Sequence, residues 1–93
     1  MKKHTKIYLD FFGYSTADVI LCEACGEVAV DVHHIEDRGA GGDPQGKRDV
    51  IENLIGLCRR CHDRAHRIAE PPIERDELKE IHARSIAIRK QNL

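Results

Sequence analysis

At 93 residues the chain has room for one small domain, and with no Trp, two Phe and two Tyr its aromatic core is thin. No apolar run approaches the ~20 residues that cross a bilayer, which excludes a membrane-spanning helix. A net charge of −1 argues against a uniformly basic nucleic-acid binder, but the charge is uneven: residues 1–37 hold three Lys/Arg against seven Asp/Glu, residues 38–69 seven against four, and residues 70–93 five against five.

Met1-Lys2-Lys3 leads into His4, Thr5 and Lys6 rather than into an apolar run, so no secretory leader is expected. That points to a cytoplasmic, reducing setting, where paired cysteines read as metal ligands rather than disulfides. Residues 1–19 read as a packing arm. Within it, Ile7–Phe11 and Tyr8–Phe12 are four-apart pairs that predict a short helix over 4–12 ended by Gly13, although the alternation of Ile7, Leu9 and Phe11 fits a strand almost as well.

Val19-Ile20-Leu21 leads into Cys22-Glu23-Ala24-Cys25-Gly26. A glycine directly after the second cysteine suits a zinc knuckle, where one residue needs positive φ. Residues 28–35, rich in Val and Ile, predict a strand that ends by presenting His33 and His34 on opposite sides. Residues 36–49 contain four glycines and a proline and read as a loop. This loop carries Arg38, Lys47 and Arg48, either as phosphate contacts or as a solvated connector.

Residues 50–57, which include Asn53, predict a short second strand preceded by a turn and feeding directly into Cys58. Cys58 to His66 reads CRRCHDRAH. Cys58 and Cys61 complete a four-cysteine set with Cys22 and Cys25, which reads as a structural zinc site. His62 and His66 are four apart, so on a helix they project from one face. That helix is expected from Arg59 to about Ala69, stopped by Glu70-Pro71-Pro72. A final helix is expected over 73–93, with Leu78, Ile81, Ser85 and Ile88 as its apolar face, acidic residues early and Arg89-Lys90 late. It packs on the domain or serves a dimer contact. His4 and His82 lie outside the constellation and receive no role.

The expected fold is α+β, a small core holding a structural zinc and flanked by N- and C-terminal helices, all in a single domain of residues 1–93. Thirty-two residues separate the two cysteine pairs, more than a simple four-cysteine finger needs. The excess is a hairpin with histidines of its own.

This ordered set resembles the HNH endonucleases, which implies that the core, about residues 20–69, is of the ββα-metal, treble-clef-like kind. The letters of the family name match His34, Asn53 and His62. The resemblance implies that His34 is the general base taking a proton from water, and that His33, His62 and His66 hold a divalent metal, most often Mg or Mn. It also implies that Asn53 braces the loop and strand orienting the base. Many relatives carry Asp at the position of His33 and Pro shortly after the His pair; here Glu36 and Asp37 follow Ile35. The implied activity is hydrolysis of DNA phosphodiester bonds to 5′-phosphate and 3′-hydroxyl ends, by a monomer that nicks or a homodimer.

The residues support this independently. Hydrolysis of a phosphodiester needs an activated water and neutralised phosphoryl oxygens. An imidazole with a pKa near ~6.5 serves as base at cellular pH. Arg38, Lys47, Arg48, Arg59, Arg60 and Arg64 are the candidate DNA contacts, and Asp31 is a candidate partner behind a metal ligand. The competing readings are a non-catalytic zinc-stabilised DNA- or protein-binding module and, more remotely, a Cys-x-x-Cys redox protein.

Overall fold

The computed structural model describes residues 2–36 and 47–93. Three helices surround a two-stranded antiparallel sheet: α1 (Lys3–Phe12), β1 (Asp31–His34), β2 (Leu54–Leu57), α2 (Arg59–Ala65) and α3 (Arg75–Gln91), with a 3₁₀ turn at Ile51–Asn53 leading into β2. This is the expected α+β arrangement.

The first segment is a helix, because its four-apart residues bury together. His4 and Tyr8 lie inside with Leu9, and Ile7 and Phe12 pack beside them. Gly13 ends α1 at φ 74°, where its N–H returns to the Leu9 carbonyl. A β-carbon there would meet only the movable end of Arg89, at 2.9 Å, so it is the left-handed backbone that calls for glycine.

β1 is shorter than expected because its first residues have other partners. Val28 bridges to Leu21, and Ala29 N–H bonds to the Ile20 carbonyl, which closes the cysteine knuckle. Only from Val30, whose N–H reaches Leu57, does the chain turn to β2. Asp31, Val32, His33 and His34 then oppose Leu57, Gly56, Ile55 and Leu54. Alternation along this pair divides the interior. Val32 and Leu54 join Tyr8 on the α1 side, whereas Ile55 and Leu57 join Cys22, Cys58, Cys61, Ile73 and Leu78 on the other. Leu54, Ile55 and Leu57 are fully buried, each contributing about 1.5–3 kcal/mol. Gly56 admits α1 against the sheet, since a β-carbon there would lie 2.9 Å from the Tyr8 hydroxyl.

α2 stops four residues earlier than expected, and not at the prolines. Arg67 adopts φ 62°, Arg67 N–H bonds to Arg64 O, and Ile68 N–H bonds to Asp63 O. This is a Schellman closure with arginine in the place usually held by glycine. α3 has the expected charge polarity, and of its expected face Leu78 is buried and Ile81 and Ser85 are half-buried, but the face is shifted toward His82. Leu78 and His82 are buried, and Ile88 is exposed.

The reason is Glu23. Its side chain is 6 % exposed and that of His82 1 %, and the two pair at 2.9 Å through His82 Nδ1. The other His82 nitrogen bonds the Ile51 carbonyl. The second oxygen of Glu23 accepts from the Tyr8 hydroxyl at 2.7 Å and from Gly56 N–H at 3.2 Å. One carboxylate therefore ties α1, β2 and α3 to the knuckle. Burial opposes charge on His82, but the hydrogen bond and charge of Glu23, with the Ile51 carbonyl, raise its pKa above the ordinary histidine value. Burial and Glu23 likewise push the Tyr8 hydroxyl upward.

His82→Ala would leave the carboxylate buried without its cation and should cost about 3–5 kcal/mol, read from urea unfolding at pH 6. Because the folded state raises the His82 pKa, its contribution is complete below about 6.5 and is lost as pH rises through the folded value. The gap between wild type and variant should therefore narrow at alkaline pH. A gap that widens there contradicts the charged pair.

Candidate active site and metal centres

Four thiols meet where the knuckle approaches the N-terminus of α2. One sulfur from each of Cys22, Cys25, Cys58 and Cys61 lies within 4.8 Å of the others, and all four are free thiols. Gly26 takes φ 84° as the knuckle requires. Cys58 caps α2, its sulfur accepting from Cys61 N–H at 3.4 Å. Burial works against a thiolate at Cys22, but N–H groups of Cys58, Cys25 and Ala24 bring it down to about 7. Cys61 is pushed up, first by burial and then by the neighbouring sulfurs. Four such sulfurs cannot all ionise unaided; one Zn²⁺ satisfies the whole set, and the donor chemistry fits a closed structural site.

The split at β1 produces two histidine clusters. His33 shares its side of the sheet with Ile55 and faces α2. Its ring lies edge-on to His62 at 5.2 Å and to His66 at 4.9 Å, and His62 and His66 are 4.5 Å apart. One ligand atom from each lies within 4.8 Å of the others. His62 Nε2 sits 3.5 Å from Asp31, whereas its Nδ1 is buried without a hydrogen-bond partner. An orphaned buried nitrogen aimed among imidazoles fits a cation, with Asp31 behind the ring. Burial, then the charges of His66 and Arg59, lower the His62 pKa despite the opposing pull of Asp31 and Asp63. A neutral ligand is thereby favoured.

His34, on the other face, meets residues that the sequence reading left out. Its Nε2 is 2.7 Å from Asp49 Oδ1, and the His4 ring of α1 lies 4.5 Å away. Both clusters open into one cavity of about 340 Å³, lined by Lys2, His4, Asp31, Val32, His33, His34, His62 and His66. The N-terminal arm is thus part of the cavity wall as well as packing. No motif spacing marks His4 or Asp49. The one available signal was that His4 precedes Tyr8 by four residues, on the buried face of the helix.

Asn53 is 8 % exposed. Its amide oxygen accepts from Glu36 N–H at 2.7 Å, and its nitrogen donates to the Glu36 and Arg48 carbonyls at 3.1 and 2.9 Å. It therefore joins the end of the segment after His34 to the segment that carries Asp49.

The basic residues separate into two groups. Lys47, Arg48, Arg59 and Arg60 are exposed. Arg48 pairs with Glu36 at 3.6 Å, and Arg59 with Asp63 at 3.8 Å. Arg64 is turned inward: its Nε donates to Pro71 O at 2.7 Å, and an Nη lies 3.9 Å from Cys61 sulfur. Its guanidinium braces the zinc knuckle and the turn after α2. Arg38 lies outside the described residues.

No helix among the described residues is long and apolar enough to cross a membrane. No curated protein and no solved structure matches the chain. The family model of the HNH endonuclease matches residues 22–67, from the first cysteine of the knuckle to the turn closing α2. That span contains both cysteine pairs, both strands and the imidazoles at 33, 34, 62 and 66, so the chain belongs to the HNH endonucleases, a family of metal-binding nucleases acting on DNA, through the domain that these residues form.

Proposed function

We propose that the chain is a metal-dependent DNA endonuclease that nicks one strand per encounter as a monomer, leaving 5′-phosphate and 3′-hydroxyl ends. The observation that carries this reading is the shared cavity. It sets His34, held by Asp49, beside three imidazoles, one with an orphaned buried nitrogen.

With its proton on Nε2, His34 donates to Asp49, and as general base it takes the proton of the attacking water at its other ring nitrogen. Asp49 stabilises the imidazolium that results, as a carboxylate does behind a catalytic histidine elsewhere. Asn53 holds the two segments carrying His34 and Asp49 in register. His33, His62 and His66 would hold a divalent cation, which when bound neutralises charge on the phosphoryl oxygens and the leaving alkoxide. Three nitrogen donors suit Mn²⁺, Ni²⁺ or Co²⁺ better than Mg²⁺, which prefers oxygen. Lys47, Arg48, Arg59 and Arg60 supply the exposed positive charge for the DNA backbone. Free thiols at the zinc set suit a cytoplasmic protein.

Supercoiled plasmid incubated with protein and each of Mg²⁺, Mn²⁺, Ni²⁺ and Co²⁺ should convert to open circle. Mn²⁺ or Ni²⁺ should exceed Mg²⁺, and EDTA should abolish conversion. Well-folded protein that binds DNA and cuts with none of these metals would instead be a zinc-stabilised binding module.

A further inference from the structure

The hydrogen bond between His34 and Asp49 accounts for one contact of a three-residue cluster. It does not account for His4, which α1 holds 7 % exposed with its ring tilted 54° against His34. One ligand atom from each of His4, His34 and Asp49 lies within 4.8 Å of the others. None of the three belongs to the four-cysteine set or to the set of His33, His62 and His66. They come from α1, β1 and the segment before the 3₁₀ turn. Two imidazoles and a carboxylate are a zinc-type donor set, found with an open fourth position in hydrolytic centres.

We propose that His4, His34 and Asp49 form a third cation site, taking Zn²⁺ or a similar late transition ion, whose filling withdraws His34 from catalysis. The inhibitory part rests on the reading of His34 as general base; the site itself does not. His34 Nε2 and Asp49 Oδ1 stand 2.7 Å apart with a proton between them. Two ligands of a tetrahedral zinc stand roughly 3.3 Å apart, so the ion replaces that proton after the pair opens by about half an ångström. The Nε2 proton leaves to solvent. A neutral imidazole bound through Nε2 carries its proton on Nδ1, taken from solvent, so the ring keeps its net charge. The Nδ1 lone pair that would accept a proton from water is then gone. A pool of Zn²⁺ thus acts as a brake on a nuclease that runs on another metal.

The test counts ions on the full chain by equilibrium dialysis against Zn²⁺ with elemental analysis. Three ions per wild-type chain are expected, one for each cluster, and two for His4→Phe, which keeps a buried ring but no nitrogen donor. Asp49→Asn provides a second count of two should the phenylalanine variant fail to fold. In plasmid cleavage supported by Mn²⁺ in enough excess over Zn²⁺ to keep the three-imidazole set, Zn²⁺ that fills the third site should slow the wild type by about 10²-fold or more and leave His4→Phe little affected. Two ions on the wild type, three on both variants, or equal inhibition of wild type and His4→Phe overturns the proposal, since zinc would then be acting at His33, His62 and His66. A count falling from three to two in a chain that cuts with no metal keeps the site, and removes both the nuclease reading and the brake.

Discussion

His34→Ala should lower plasmid cleavage by about 10²–10⁴-fold, the usual contribution of a positioned general base. The expectation rests on position. His34 stands at the end of β1, its side chain 15 % exposed, on the face of the sheet opposite the three-imidazole set. Its removal therefore leaves His33, His62 and His66 in place. Mn²⁺ affinity at that set and DNA affinity should stay near wild type while turnover falls. A variant that cuts within roughly threefold of wild type would sink the assignment of the base.

The pH profile adds a second readout. Cleavage by wild type should decline as the medium falls below about pH 6.5, where imidazoles take protons that exclude a metal. His62 is held below the ordinary value, so its lone pair survives further into the acid range than that of an unperturbed histidine. Metal affinity measured by calorimetry should accordingly decline gradually below pH 6.5, not collapse there.

Cys58→Ser should have the largest effect on folding. Cys58 is 6 % exposed, lies 3.6 Å from the Cys25 sulfur and caps α2. Serine is a good capping residue, so the substitution spares the cap and removes chiefly the zinc ligand. Structural zinc contributes an apparent ~10–16 kcal/mol in small metal-dependent domains, against a net stability of about 5–15 kcal/mol for a whole domain. Loss of one thiolate should therefore leave a chain without cooperative melting, and removal of zinc from wild type with a strong chelator should give the same result. Zinc content and a thermal melt by circular dichroism decide it. A Cys58→Ser chain that lacks zinc and still melts with wild-type cooperativity would show that Glu23, His82 and the apolar core suffice without metal.

Short-range features of this chain were readable from residue order. The two Cys-x-x-Cys pairs, the glycine at 26 with its positive φ, and the start of α2 at Arg59, though not its end, all depend on neighbours a few residues apart. The same holds for the opposite faces of His33 and His34, because side-chain alternation on a strand is local. Apolar periodicity placed α3 and, through Leu78, Ile81 and Ser85, most of its inward face, but misplaced Ile88 and missed His82. A scale that counts isoleucine and leaves out histidine exposes His82 and buries Ile88, whereas the structure does the reverse.

What residue order left undecided was set by docking. His4 reaches His34 because α1 lies across the sheet on a glycine at 56. Glu23 reaches His82 because α3 crosses behind the knuckle, and Asp49 reaches His34 because Asn53 joins the segments on either side of them. The pairs 4–34, 23–82 and 34–49 have no common spacing that a helix or strand would impose. Metal-ligand spacing and hydrophobic period are properties of neighbouring residues, so the sequence alone determined the four-cysteine set, the paired histidines and the family they belong to. Which carboxylate stands beside His34, and which buried histidine pairs with Glu23, depended on how the helices close over the sheet, because a buried polar group takes whatever partner the packing brings within hydrogen-bond reach.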